Sequence, residues 1–284
     1  MIEEYLYLDK LKIINGIYVL EGDNTVSYPN ESRELLNEIE DNSFWFNHRN
    51  KVIISVVERR LPKGSVFFDV GGGNGYVASA LQRAGYEAVL FEPAIIGAEF
   101  AKKRNIEYIF CAFFDRHIIK KNSIPALGLF DVIEHIENDS GFLSEVYELM
   151  AEDGMIFITV PAYNKLWSKS DDRAGHFRRY NLEELKEKLE ATGFTINYAT
   201  YFFSVLLLAV YFFRVIPYKI NKRNGKKKSE EKTKKQARKT HQNFFLSELL
   251  LKSEFNRIKQ NKSLKFGGSV LIVAEKNEKK RKLQ

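Results

Sequence analysis

The sequence predicts an α/β fold: a doubly wound, mostly parallel seven-stranded sheet with an N-terminal extension and a helical insertion before the last strand. Two observations carry that expectation. Short apolar runs alternate with amphipathic stretches at least five times after Ser65. Strands separated in this way by crossover helices pair in parallel and are covered on both faces. The first of those runs passes directly into glycines, in "SVFFDVGGGNGYVASAL" from Ser65 to Leu81. A strand–turn–helix junction of this kind lets backbone N–H groups approach a ligand. In such sheets ligands bind outside the carboxyl ends of the strands, where the strand order reverses.

The elements follow in order. Residues 1–45 read as an extension, in which "GIYVLEGD" and "NTVSYPN" are expected to pair as a hairpin around Gly22-Asp23-Asn24. "FWFNHRNKVIISVVERRL" has apolar residues at helical spacing and stops at "LPKG". "SVFFDV" is the first buried strand, and "NGYVASALQRAG" a helix ended by Gly85. "EAVLFEP" is strand two, "AIIGAEFAKKRN" the next helix, and "IEYIFCAFF" holds strand three. "PALGLFDVI" is strand four, and "SGFLSEVYELMAEDG" a helix expected to stop at Gly154. "MIFITVP" is strand five. "NLEELKEKLEATG" is a helix whose Asn181 and Glu184 form a capping arrangement. "FTINYATYF" is strand six, and "GGSVLIVAEK" the last strand. The expected organisation is therefore an extension over 1–45, a core over 46–202, an apolar and basic insertion over 203–265, the final core strand over 266–276 and a basic tail over 277–284.

Composition narrows the setting. The chain has 284 residues and one cysteine, Cys111, so it has no internal disulfide framework and fits a reducing compartment. Its N-terminus, "MIEEYLYLDKLK", lacks the basic-then-apolar pattern of a signal peptide, and a cytoplasmic location is expected. There is no C-x-x-C and no H-E-x-x-H, so no zinc site is read and no metal is expected; Asp131, Asp171 and Asp172 make a poor ligand set. The net charge of +7 is local. Eleven Lys or Arg lie between Lys219 and Lys239, opposed only by Glu230 and Glu231, which leaves the remainder near neutral. A domain-wide nucleic-acid face is thereby disfavoured.

Three readings of the glycine loop compete. A P-loop needs a Lys followed by Ser or Thr after the glycines, and none follows. Gly73, Gly75 and Ala78 satisfy the alanine variant of the dinucleotide fingerprint. Asp69, Gly71, Gly73 and Gly75 satisfy D-x-G-x-G-x-G, in which a carboxylate ends the strand itself and suits a ligand carrying an amino group. Glu92 ends strand two and is placed to accept hydrogen bonds from ribose hydroxyls, which either nucleoside cofactor offers.

The later segments separate these readings. "DVGGGNG", "FDVIEHI" and "GHFRRY", in that order and at these spacings, resemble the class I S-adenosylmethionine-dependent methyltransferases, near the ubiquinone-type O-methyltransferases. The resemblance covers about Phe44 to Phe202 and resumes at "LKFGGSVLIVAEK". It implies a Rossmann-like methyltransferase fold and S-adenosyl-L-methionine as cofactor. It further implies that Asp69 holds the methionine part, that Gly71, Gly73 and Gly75 let the backbone close on the ligand, and that Glu92 takes the ribose. Two places depart from the family pattern. "CAFFDRH" leaves Asp115 as the stand-in for the family's acidic residue near the adenine, with Phe113 counted among the cofactor-binding residues, and "SIP" replaces the usual "SFD" before strand four.

The remaining candidates lie toward the methyl acceptor. Asp131, counted with the cofactor-binding residues, ends strand four beside the expected methyl group, and His135 would share a helical face with it if "EHIEN" starts a helix. His176 lies in a loop of about nineteen residues after strand five, a length that usually signals function. Histidine suits removal of a hydroxyl proton near neutral pH, so His176, then His135, are the candidate bases. Arg178 and Arg179 would bind an anionic acceptor or pair with Asp171 and Asp172. From the first helix, Arg49 could reach the cofactor carboxylate, while Phe44 and Trp45 read as core or lid.

Ala199 to Ile216 is apolar apart from Arg214 and precedes the lysine-rich run. Once strand six is taken out, about a dozen residues remain, roughly 18 Å of helix against about 30 Å of hydrocarbon. An interfacial helix with a polybasic run, bound to an anionic inner membrane face through 199–239, fits better than a span. The alternative is a buried helix with a solvated lysine loop. The expected activity is methyl transfer to an oxygen or nitrogen of a small-molecule, glycan or lipid-linked acceptor. RNA methylation and non-catalytic cofactor binding are the competing functions.

Overall fold

The computed structural model describes residues 2–20, 39–223 and 245–277. Nine strands form one sheet in the order β1-β2-β5-β4-β3-β6-β7-β9-β8. They are β1 (Lys12–Ile14), β2 (Ile17–Val19), β3 (Val66–Val70), β4 (Glu87–Phe91), β5 (Tyr108–Cys111), β6 (Ile124–Phe130), β7 (Met150–Pro161), β8 (Phe194–Phe202) and β9 (Ser269–Lys276). From β5 to β7 every pairing is parallel, and β9 lies antiparallel between β7 and β8. β3 to β9 are the seven strands expected from the sequence. The chain leaves β3 toward β4 and β5 on one side, then returns to β6 on the other. The order therefore reverses between β3 and β6, with Asp69 and Asp131 near their carboxyl ends.

The other two strands come from the N-terminal extension. β1 and β2 pair through a turn at Asn15 (φ 52°) and Gly16 (φ 74°), and β2 adds parallel to the β5 edge. Two consecutive positive φ values are what a tight hairpin needs, and Asn-Gly accepts them at low cost. The hairpin thus turns seven residues earlier than expected, and the arm expected around Gly22 lies outside the described residues.

Helices cover both faces: α1 (Phe44–Glu58), α2 (Tyr76–Arg83), α3 (Ile95–Lys103), α4 (Asp139–Leu149), α5 (Lys169–Ala174), α6 (Leu182–Thr192) and α7 (Phe245–Lys259). Glu184 accepts the Asn181 backbone N–H at 2.9 Å, as the capping pattern predicts. α4 ends five residues before Gly154. Met150 already pairs with Ile124, and residues 151–154 bulge out before Met155 meets Ala126. A Cβ on Gly154 would come within 2.9 Å of the Ile124 carbonyl, so the glycine permits that bulge and does not stop the helix. Alternating β3 residues face opposite layers: Phe67 stacks toward Phe130 and Phe157, and Phe68 toward Phe91 and Phe114. Each such ring, fully buried, contributes about 1.5–3 kcal/mol.

Of the apolar run from Ala199, Ala199–Phe202 completes β8, before the insertion begins. Helix then runs over Leu207–Val210, opens into a π-turn at Tyr211–Val215 and resumes over Ile216–Arg223. α7 packs on α1, where Glu254 accepts from His48 Nε2 at 2.9 Å and from the Phe203 and Ser204 amides at 2.7 Å. Trp45 stacks on Phe203 with centroids 3.7 Å apart, which makes it a packing residue. Most of the lysine-rich run lies outside the described residues, and no helix among those described is long and apolar enough to cross a membrane.

Candidate active site

The side expected to hold the cofactor is built mainly from backbone. After β3 the chain turns through Gly71, Gly73 and Gly75, all at positive φ (66°, 57° and 73°). The Gly71 and Gly72 amides both donate to the Phe91 carbonyl at the end of β4, at 2.8 and 3.3 Å. Side chains are excluded here for two reasons, conformation and space. A Cβ on Gly72 would lie 2.3 Å from Leu90 and 2.6 Å from Asp69 Oδ2. One on Gly75 would lie 2.4 Å from Ile106 Cδ1 and 2.9 Å from Ala101 Cβ.

Asp69 is thus tucked beneath its own loop. It is fully buried, and neither carboxylate oxygen meets a donor at hydrogen-bonding geometry. Burial pushes its pKa up to about 7; Arg49 and the Ala78 amide pull the other way, and Glu92 adds to the rise. A buried carboxylate left without a partner is costly, and a cationic ligand group would offset that cost. Glu92, also buried, accepts from the Gly73 amide at 3.0 Å and from the Ala94 amide at 2.8 Å. It ties the glycine loop to the start of α3.

Arg49 forms an ion pair with Asp131, Nη2 to Oδ2 at 2.7 Å, and so ties α1 to the end of β6. Asp131 has left-handed backbone (φ 59°), and its other oxygen accepts from Thr159 at 3.2 Å. Phe113 is exposed beyond β5, whereas Phe114 is buried against Phe68 and Phe91. The Asp115 carboxylate accepts the His117 amide at 2.8 Å within its own turn.

The acceptor side is built from side chains. Residues 131–135 do not start a helix. The chain passes from the left-handed Asp131 into a single 3₁₀ turn, Ile133–His135, and α4 begins only at Asp139. The shared helical face expected for Asp131 and His135 is therefore absent: Asp131 turns to Arg49 and His135 packs edge-on against His176, with centroids 4.7 Å apart. The Phe177 amide donates to the Glu134 carbonyl at 2.8 Å and holds the two segments together.

The post-β7 segment carries more structure than a bare loop. A 3₁₀ turn spans Asn164–Leu166, and α5 carries a Ser168–Asp171 capping box. Asp171 is its hub. It accepts from His176 Nδ1 at 2.9 Å, from Arg179 Nε and Nη2 at 2.7 and 3.0 Å, and from the Ser168 amide at 2.8 Å. Burial alone would raise the Asp171 pKa. The hydrogen bonds from His176 and Arg179 outweigh it and hold the carboxylate well below the usual range. With Nδ1 engaged, Nε2 is the His176 nitrogen left for an incoming group. Arg179 is thus paired with Asp171, and Arg178 with Asp139 at 2.9 Å, so neither is an unpaired anion receptor.

Two acceptor-side residues escaped sequence reasoning as site members. Asp171 stood only as a partner for arginine or a weak metal ligand, and Glu134 was not singled out. Glu134 is fully buried, and its carboxylate oxygens are satisfied by no other residue. The insertion reaches the same edge: Tyr218 donates to Asp172 at 2.7 Å, and Trp167 Nε1 donates to the other oxygen at 2.7 Å.

A glycine-rich turn at the switch point and a polar side-chain cluster beyond the neighbouring strand put the candidate site outside the carboxyl ends of the strands, where doubly wound sheets bind their ligands. The family model described as "Methyltransferase domain" matches residues 45–199, more than half of the 284-residue chain. The chain belongs to that family and is a class I S-adenosylmethionine-dependent methyltransferase. Curated protein sequences return no match. Solved structures share the fold. A Haemonchus contortus phosphoethanolamine N-methyltransferase 2, solved with S-adenosyl-L-methionine, matches at 16% identity and TM-score 0.57, covering 89% of this chain and 59% of that one. This chain spans less than two thirds of that enzyme's length. A Thermotoga maritima protein described as a possible histamine N-methyltransferase matches at 16% identity and TM-score 0.52, covering 86% and 98%.

Proposed function

We propose that this methyltransferase modifies a hydroxyl of a small-molecule, glycan or lipid-linked acceptor that approaches at a membrane surface. The observation that carries the acceptor assignment is the His176–Asp171 pair beyond β6 and β7. A carboxylate on Nδ1 fixes the ring and leaves Nε2 as the basic nitrogen. Such a group is needed when a hydroxyl must lose a proton, where it contributes about 10²–10⁴-fold. His135 packs the ring from the side.

S-adenosyl-L-methionine, when bound, supplies an electrophilic methyl carbon on a sulfonium. In this reading Asp69 pairs with its ammonium group, the Gly71–Gly75 backbone closes beside it, and Glu92 accepts from the ribose through remaining lone pairs. Phe113 offers an exposed face for the adenine. Arg49 holds Asp131 at the end of β6, beside the point where the two reactants would meet. Holding the acceptor in line and excluding water supplies most of the remaining acceleration.

The membrane part of the reading rests on the insertion, taken as residues 203–265. Phe212, Phe213 and Ile220 are exposed on its helical stretch, at 57%, 74% and 54%. The same stretch touches the acceptor edge through Tyr218, and the lysine-rich run continues from it. Apolar and basic signals together make a two-part peripheral anchor. Labelled methyl transfer into separated lipid, small-molecule, RNA and protein fractions tests the reading. Label is expected in the lipid or small-molecule fraction; label confined to RNA or protein overturns the acceptor assignment.

A further inference from the structure

The sequence contains no recognisable metal-ligand spacing, yet the fold assembles a ligand set. We propose that Glu134, His135 and His176 bind one divalent first-row transition-metal ion on the acceptor side of the site. One donor atom from each residue lies within 4.8 Å of the other two. Bond lengths near about 2.0–2.2 Å then require only small side-chain shifts around a central ion.

Three independent features point the same way. The first is the donor chemistry. Two imidazole nitrogens and one carboxylate oxygen suit zinc, manganese, iron or cobalt better than magnesium or calcium, which prefer all-oxygen shells. The second is Glu134. A carboxyl group with no exposed surface and no hydrogen bond from any other residue is costly to keep charged, and a bound cation would offset that cost. The third is the support behind His176. Histidines that bind metals usually donate their other ring N–H to a carboxylate, and His176 Nδ1 meets Asp171 Oδ1 at 2.9 Å. Asp171 is itself fixed by Arg179 and Ser168.

Three protein ligands leave at least one position open, the arrangement of a catalytic and not a structural site. The inference rests on the hydroxyl-methylation reading and deepens it. An acceptor hydroxyl, alone or with a neighbouring oxygen, would occupy the open position. The ion would lower the pKa of that hydroxyl so that its proton passes to water before the oxygen takes the methyl group, and His176 would serve as a ligand through Nε2 and not as the base.

The test uses the full chain, stripped with chelator and dialysed. Co²⁺ and Zn²⁺ are titrated in by calorimetry and, for Co²⁺, by visible absorption, with S-adenosylhomocysteine binding measured on the same samples. One ion per chain is expected. Glu134→Gln and His176→Gln should each weaken it about tenfold or more, while S-adenosylhomocysteine affinity stays within about twofold. If the wild-type chain binds S-adenosylhomocysteine but no stoichiometric ion, the metal site is wrong and the methyl-transfer reading stands. Equal ion affinity in wild type and both variants also refutes the site. Failure of the stripped wild type to bind S-adenosylhomocysteine would instead overturn the reading beneath it.

Discussion

The two halves of the site are made in opposite ways. The half proposed to hold the cofactor comes from one run of chain, Asp69 to Gly75, with Glu92 from the end of the next strand. Its shape depends on atoms that are missing: a Cβ at Gly72 or Gly75 would overlap Leu90 or Ile106. The acceptor half comes from two segments about forty residues apart in sequence, and its shape depends on side chains. His135, His176, Asp171 and Arg179 meet only because β6 and β7 are adjacent in the sheet. A backbone-built half tolerates almost no substitution, whereas a side-chain-built half can be retuned residue by residue. Under the proposed roles, that difference would let one fold keep its cofactor while its acceptor changes.

The largest effect that could break this contrast comes from Gly75→Val. At φ 73° and 2.9 Å from Ala101 Cβ, the variant should lose measurable S-adenosylmethionine binding by calorimetry. Retained affinity would show that the cradle is not backbone-limited. Next is Asp171→Asn, which removes the charge that fixes His176 and Arg179. Turnover should fall by about 10²-fold, with cofactor affinity within about twofold. Breaking a buried pair costs about 3–5 kcal/mol, so the melting temperature should also fall. Equal losses of turnover and cofactor affinity would mean that the halves are not separable.

A smaller effect sharpens the cofactor half. In the free protein Asp69 is held near about 7 by burial, with Arg49 from α1 lowering it and Glu92 beyond β4 raising it. Pairing with the cofactor's ammonium favours the charged form, so binding drives a proton off as pH falls below that value. S-adenosylmethionine affinity should therefore drop about tenfold from pH 8 to pH 6, and Asp69→Asn should flatten the slope. Smallest for catalysis is Phe212→Ser with Phe213→Ser. Binding to anionic vesicles should weaken while cofactor affinity is unchanged; unaltered vesicle binding would remove the interfacial role of the insertion.

The same contrast explains what could be read from sequence. The glycine loop, Glu92 and the Asn181–Glu184 cap are local patterns, and each lies where its pattern places it. Asp131 and His135 misled because helical spacing was assumed across a residue whose backbone is left-handed. Gly154 misled because a glycine that permits a bulge looks, in one dimension, like one that ends a helix. The Asn15-Gly16 turn was legible, but a later glycine was preferred to it. Asp171 showed locally only as the S-x-x-D cap of Ser168 and as a partner for arginine, and Glu134 only as a letter of "FDVIEHI"; neither pattern shows that the side chain joins the site. A carboxylate's role there depends on burial and on partners that only the folded chain brings near.

The central claim is that the loop from Asp69 to Gly75 with Glu92 holds S-adenosylmethionine and not a dinucleotide. Calorimetry of the full chain against S-adenosylmethionine, S-adenosylhomocysteine and NAD, repeated on Gly73→Val, tests it most directly. Micromolar binding of the first two, none of NAD, and loss of binding in the variant is the predicted result. Binding of NAD without S-adenosylmethionine would contradict it.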